Sequence, residues 1–468
     1  MIDMLPDNVL LEIFDFYRED TTFCIDEGMI FTWRWKALIH VCRRWRCVIF
    51  GSPRRLDLRV VCTDSTPTMT LLDVWPPFPI SIASGAEVNE KSVENIIAAV
   101  EHGHDRISHF SIEFITGPAL GKLAAAMQQP LPTLKHFRLT SCDDAVPVLP
   151  EKFLGGSAPL LETFISRGIP LPTLPKTVLS FTHLQYLHIN NINIPHSGYI
   201  SPNAMVACLP ALPNLDHLYI AFRSGPPQIT PPPRSRIVLP ALIRLFFCGV
   251  CEYLEDFVAQ IDTPLLNHLD VTFFMDDLAF FMDPSFDIPQ FRNFIGRAER
   301  LKPLDQATMS FDNRAIWISD TEGFPQRFRL EVQVERPDWQ LSSMVQIFGQ
   351  QLRLLSHVEQ LEISHPYYAT IEWIDNPYML VDTSLWLELF HLFIALRRLY
   401  VSKELVAPVA ATLQQLTEGR TMEVLPALHS LFLEGLEPPG PVPEGIKLFV
   451  AARQLSDQPV AVQGWKRP

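Results

Sequence analysis

The segment LPTLKHFRL, residues 131–139, decides how this chain reads. Leu134, Phe137 and Leu139 set apolar positions in an L-x-x-L-x-L pattern, and Pro132 stands two residues before the first of them. The alternation describes a short strand whose apolar side chains point inward, and the proline cannot continue a helix into it. The arrangement recurs in APLLETFIS (158–166), LPNLDHLYI (212–220), LPALIRLFF (239–247), TPLLNHLDV (263–271) and LPALHSLFL (425–433). RISHFSI, HLQYLHI, HVEQLEI and ALRRLYV repeat it without the proline, and PLDQATM (303–309) reads as a degenerate copy. The first apolar positions fall at 107, 134, 161, 184, 215, 242 and 266, then at Val358, Leu396 and Leu428. Units this short cannot bury an apolar face alone, so neighbours must stack. Segments between strands, such as SMVQIFGQQLRLL (343–355), read as return helices, and FRLEVQV (328–334) reads as an extra strand.

Within each strand the two residues flanking the second apolar position point away from the core, which places them on an exposed strand face. The candidates there are His136, Arg138, Tyr186, His188, His217, Tyr219, Arg244, Phe246, His268, Asp270, Arg398 and Tyr400. His109, Ser111, Thr163, Ile165, Gln360, Glu362, Ser430 and Phe432 share the same positions. Aromatic plates beside directional donors suit recognition of a protein. The plainer reading is that histidine and tyrosine tolerate half-buried strand positions, or that loops cover the face. These histidines are spread over many units without ligand spacing, so no metal is expected.

The chain of 468 residues is 47% hydrophobic and 19% charged, enough for a sizeable buried core. Its net charge of -14 argues against wholesale binding to nucleic acid or an anionic membrane. There are 41 prolines, nearly twice the usual ~5% of residues. The 8 cysteines are scattered, no N-x-[ST] acceptor occurs, no apolar run reaches 18 residues, and MIDMLPDNVL carries acid where a secretory signal carries base. The expectation is an intracellular protein, cytoplasmic or nuclear, with no membrane span.

At the amino terminus, Pro6 to Tyr17 reads as a helix with Val9, Leu10, Ile13, Phe14 and Tyr17 on one face. A loop spans 18–32, and a second helix runs from about Trp33 to Phe50, with Leu38, Val41, Cys42, Trp45, Val48 and Ile49 spaced by three and four. Residues 1–33 hold eight acids against Arg18, and residues 34–59 hold eight bases against Asp57. Equal and opposite charge is what a self-complementary helical hairpin would show, whereas a nucleic-acid module would keep an excess of base. Arg54, Arg55 and Arg59 fall at the junction with the first repeat.

MLPDNVLLEIFDFY followed by LIHVCRRWRCVIFGSPRRLDL resembles an F-box, with Leu5, Pro6, Leu10, Ile13, Phe14, Leu38, Val41, Cys42 and Trp45 at the matching positions. The resemblance implies a three-helix module at residues 1–58 that docks, through those nine residues, on the adaptor subunit of a cullin-RING ubiquitin ligase. The loop at 18–32 is longer than the family usually shows. Residues 59–468 look like a leucine-rich-repeat solenoid with an irregular insert around 272–345, and the whole chain is similar to F-box leucine-rich-repeat proteins of mushroom-forming fungi. The expected fold class is thus α/β: a small helical module, then an irregular horseshoe of parallel strands and return helices. The implied function is that of a non-catalytic substrate-recognition subunit, with a target protein on the strand face and no cofactor. A scaffold of the same architecture outside any ligase is the alternative.

Three fragments suggest enzyme chemistry and fall short of it. In ITGPALGKLAAA the spacing from Gly117 to Gly121-Lys122 is one residue too short for a phosphate-cradling loop, and Leu123 follows where Ser or Thr is needed. CGVC (Cys248, Cys251) has redox spacing but directly follows a repeat strand, which favours packed thiols. Asp276, Asp277, Asp283 and Asp287 lie in a turn-rich stretch and read as solvated carboxylates.

Overall fold

The proline of the repeat has a structural reason beyond stopping a helix. The amides of Leu134, Leu161, Leu215, Leu242, Leu266 and Leu428 each donate to the carbonyl three residues earlier, at 3.0–3.4 Å. This closes a four-residue turn whose second position is Pro132, Pro159, Pro213, Pro240, Pro264 or Pro426. That position wants the φ proline already has and requires no N–H. The same turn closes at Leu184, Val358 and Leu396 with Thr182, Ser356 and Ile394 in the proline's place. Proline therefore stiffens a turn that the strand geometry already demands.

The computed structural model describes residues 5–18, 34–171, 180–192, 198–222, 236–274, 286–365, 382–417, 423–436 and 442–466, apart from 54, 85, 142, 144, 145, 313, 322–325, 335 and 351. The expected loop at 18–32 lies almost wholly outside these residues, as do Arg54, Asp276, Asp277 and Asp283. The chain divides into two compact units, Met1–Ile200 with Ala207–Leu215, and Ser201–Val206 with Asp216–Pro468.

The first unit opens with three helices, α1 (Asp7–Arg18), α2 (Arg34–Ile39) and α3 (Arg43–Gly51). The single helix expected from Trp33 to Phe50 is therefore broken. Cys42 takes an extended conformation (φ -157°, ψ 169°) and its Sγ accepts the Trp45 amide at 3.4 Å, so it caps α3 at the amino end. Six parallel strands follow in chain order: β1 (Val60–Cys62), β2 (Ile80–Ser84), β3 (Ile107–Ile112), β4 (His136–Thr140), β5 (Thr163–Arg167) and β6 (Tyr186–Asn191). Helices Thr68–Val74, Val93–Gly103 and Gly117–Ala126 return the chain between the first four. Phe110, Phe137 and Phe164 pair across the sheet and stack at 5.3 and 5.2 Å, forming a continuous apolar column. The expected boundary after residue 58 does not coincide with the division into units. Leu56 and Leu58 are buried and the Phe50 ring packs on Phe78 at 5.6 Å, which ties the helices to the strands.

The second unit contains β7 (His217–Phe222), β8 (Ile237–Val238), β9 (Arg244–Gly249), β10 (Ile261–Asp262), β11 (His268–Phe274), β12 (Gln306–Phe311), β13 (Ala315–Asp320), β14 (Phe328–Gln333), β15 (Gln360–Ser364), β16 (Arg398–Val401), β17 (Ser430–Glu434) and β18 (Ala461–Trp465). Its main sheet runs β7-β9-β11-β14-β13-β12-β15-β16-β17-β18, while β8 and β10 form a separate short pair. Most neighbours are parallel; β12, β13 and β14 form an antiparallel meander entered from its far side, so that β14 meets β11 and β12 meets β15. The meander lies within the expected insert, and its first and last strands fall at PLDQATM and FRLEVQV. Return helices include Cys251–Val258, Pro289–Arg297, Pro337–Gly349, Thr383–His391, Val406–Gln414 and Glu444–Leu455. The fold is α/β with a mostly parallel sheet in each unit.

Candidate functional site

In the amino-terminal helices some of these opposite charges meet in space. Arg44 donates to Asp7 at 2.7 Å and to the Leu5 carbonyl, while Arg55 donates to Asp15 at 3.1 Å and to Glu12. Those two carboxylates raise the Arg55 pKa. Two arginines of the basic segment thus pair with α1, and Arg59 pairs with Asp57. Arg55 thus bridges from the start of the repeat region to the first helix.

The nine residues named for adaptor docking divide by exposure. Leu10 and Phe14 are interior, and Phe14 meets the Trp45 ring edge-on at 4.9 Å. Leu5, Leu38, Cys42 and Trp45 are half-buried, and Pro6 is exposed. Ile13 is 45% exposed and Val41 59%, while Phe16, which was not singled out from the sequence, is 75% exposed. Val9, Ile13 and Phe16, spaced by four and three, share one side of α1. An apolar stripe therefore flanks the helix face that builds the core. The signal for Phe16 was present in its spacing from Ile13.

The strand positions picked from the repeat fall in register. In the first unit His109, His136, Thr163 and Tyr186 make one row, and Ser111, Arg138, Ile165 and His188 the next. The expected exposure is corrected here, because His109, Ser111, Arg138, Ile165 and His188 are all buried. Arg138 pairs with Glu113 at 3.3 Å, and Arg167 donates to Nε2 of His188 at 3.1 Å. His109 and His136 rings lie 4.3 Å apart. Burial, assisted by Arg59, His136 and Lys135, pushes the His109 pKa down to about 2. Burial also lowers His136, and holds His188 well below the usual histidine range. His109 and His188 are thus neutral, packed imidazoles, while His136, Thr163 and Tyr186 on the same face stay half-buried.

In the second unit the corresponding face is reachable. His217, Arg244 and His268 form one row and Tyr219, Phe246 and Asp270 the next, all half-buried. Tyr219 and Phe246 stack at 6.0 Å. Burial raises Asp270 to about 6, with Arg329 on the adjoining strand opposing the shift and Glu331 adding to it. Arg329 bonds Glu331 and lies 5.3 Å over the Trp317 ring. Beyond the meander, Arg398 and Tyr400 align with Ser430 and Phe432; Tyr400 and Phe432 stack at 4.3 Å, and Trp465 meets Tyr400 at 5.4 Å. Trp317, Arg329, Glu331 and Trp465 join this face from β13, β14 and β18, whose places are not written in the L-x-x-L-x-L pattern.

The fragments resembling enzyme motifs are otherwise employed. Gly117–Ala126 is a helix, and its Lys122 pairs with Glu94 at 3.1 Å and Glu90 at 3.5 Å. Cys248 ends up on β9 and Cys251 at the start of the next helix, both half-buried free thiols. Burial pushes Cys248 up to about 12 and raises Cys251 as well, so the reactive thiolate is disfavoured in both. Among the described residues no group of three or more His, Cys, Asp or Glu could hold a metal ion, and no helix is long and apolar enough to cross a membrane. No protein-family model matches the chain, and no curated protein matches it significantly.

Proposed function

We propose that this chain is a non-catalytic substrate receptor of a cullin-RING ubiquitin ligase, in which an F-box at residues 1–58 docks on the adaptor and a leucine-rich-repeat surface presents a target protein. The observation that carries the first half is the apolar stripe Ile13 and Phe16 on α1, together with exposed Val41, on a module whose motif residues resemble an F-box. Exposed aromatic and aliphatic side chains of this size are what a partner helix or groove buries. The second half rests on the half-buried aromatics and charges of the second unit's strand face. Such a receptor works in the cytoplasm or nucleus, with the adaptor and, through it, the cullin as partners.

The test is a pull-down of the intact chain with purified adaptor and cullin. Wild type is expected to be captured, and the Ile13→Asp/Phe16→Asp double variant to lose at least nine-tenths of the capture while its melting temperature stays near that of wild type. Both side chains are exposed, so the loss would report a contact and not unfolding. Leu5→Ala and Pro6→Ala probe the rest of the surface; Trp45→Ala removes the ring packed on Phe14 and so reports module stability instead. No capture of wild type, or equal capture of the double variant, would return the chain to the scaffold reading.

A further inference from the structure

Arg244 is a half-buried cation without a counter-ion among the described residues. The other half-buried arginines of the second unit, Arg297, Arg327 and Arg329, hold Asp262, Asp320 and Glu331. Among the described residues the guanidinium of Arg244 makes neither a hydrogen bond nor an ion pair; its backbone amide donates to the Asp216 carbonyl. Drawing a guanidinium partly out of water without a partner costs free energy that an arriving anion would offset. Asp270, diagonal to it on the next strand, makes no ion pair with it and is paired in the ladder with Arg329.

The surroundings are arranged to receive such an anion. His217 and His268 flank Arg244 in register on the two adjoining strands. Each imidazole is oriented by its chain neighbour: Nδ1 of His217 donates to Asp216 at 2.6 Å, and Nδ1 of His268 to Asn267 at 2.5 Å. Two residues further along the strands is the Tyr219–Phe246 stack. Side chains two apart in an extended peptide project to the same side about 7 Å from one another, the same step that separates these two rows.

We propose that Arg244, set between His217 and His268, binds an anionic side chain of an extended target peptide, carboxylate or phosphate, whose apolar residue two positions away lies on the Tyr219–Phe246 stack. The proposal rests on reading this strand face as the target-binding surface and names the chemistry of the target.

The experiment is selection from a random twelve-residue phage-displayed peptide library on the intact chain. Wild type is expected to enrich Asp or Glu two positions from a large apolar residue, and Arg244→Glu to lose that acid and enrich Lys or Arg in its place. Arg244→Gln, should the charge reversal disturb folding, is expected to bind the selected acidic peptide about 10- to 100-fold more weakly in fluorescence anisotropy at an unchanged melting temperature. Replacing the acid by phosphoserine in that peptide tells which anion is held more tightly. Wild-type selection without acid enrichment, or identical peptides from Arg244→Glu, overturns the proposal. Selected peptides that depend on Tyr400 and Phe432 but not on Arg244 overturn the anion site and leave the face reading standing. Peptides indifferent to every substitution on the face remove both.

Discussion

At the scale of single residues, His109 and His188 show how position and environment separate. Alternation places both on the outward side of their strands, and both are buried there as neutral imidazoles. Their folded pKa values lie below the unfolded value near 6.5, so the unfolded chain takes up protons first. Stability is then fully present above pH 6.5 and is lost as pH falls toward the folded pKa. For His109, with a folded pKa of about 2, the loss by pH 5 amounts to about 2 kcal/mol. Asp270, raised to about 6, acts in the opposite sense over an overlapping range, so the comparison must be internal. Urea unfolding at pH 7.5 and 5.0 should show wild type losing more stability than His109→Phe; equal losses would show that the buried imidazole does not govern acid sensitivity. Gly168 offers a second test. It sits at φ +68°, and a Cβ there would lie 2.1 Å from the Ser141 carbonyl oxygen. Gly168→Ala should cost about 2–4 kcal/mol in chemical denaturation, combining left-handed strain with a backbone clash that cannot relax. A cost below about 0.5 kcal/mol would mean the strand end yields easily.

At the scale of elements, the repeated turn and strand follow from local chemistry, and that is why they were legible. Apolar spacing selects the strand, proline suits the second position of the preceding turn, and equal spacing in successive units brings equivalent residues into register, as His217, Arg244 and His268 show. The break between α2 and α3 was not legible, because apolar steps of three and four run straight through it. Cys42 decides it by accepting the Trp45 amide, and cysteine is not a residue that announces a helix start. Helix Glu444–Leu455 makes a further point. Its Arg453 is fully buried, and Nη2 donates to the carbonyls of Pro426 and Leu428, each at 3.1 Å, inside the turn before β17. Arg453→Met retains much of the volume but strips both carbonyls of their donor, and should lower stability by about 2–4 kcal/mol in guanidinium titration. Arg453→Lys should recover only part of this, because both bonds come from the single Nη2 and a lysine ammonium, although able to donate twice, sits on a shorter stem that stops short of that position. Full recovery by lysine would show that charge alone is what the site needs.

At the scale of the whole molecule, each unit reads its own face differently. The first buries one outward row, Ser111, Arg138, Ile165 and His188, and leaves His136, Thr163 and Tyr186 of the other half-buried, whereas the second leaves both rows from His217 to Asp270 in partial contact with solvent. The second unit also carries the reversed β12–β14 meander, which brings Trp317, Arg329 and Glu331 into rows with Cys248, Asp270 and Thr272. Function on this reading is concentrated at the amino-terminal helices and on the second unit's sheet. The adaptor pull-down and the peptide selection test these two places separately.

The amino-acid sequence by itself determined where most strands of the repeat fall, which of their residues share a row, and that the amino-terminal charges cancel. All of these are set by spacing within a few residues or by simple charge balance. Only the tertiary structure decided that Arg138 and His188 are buried, that the meander enters the sheet in reverse, that Phe16 stands exposed, and that Arg244 has no counter-ion among the described residues. Period-two alternation fixes the side of a sheet a residue occupies, but exposure and pairing depend on what distant segments bring to that side, and no local pattern encodes it.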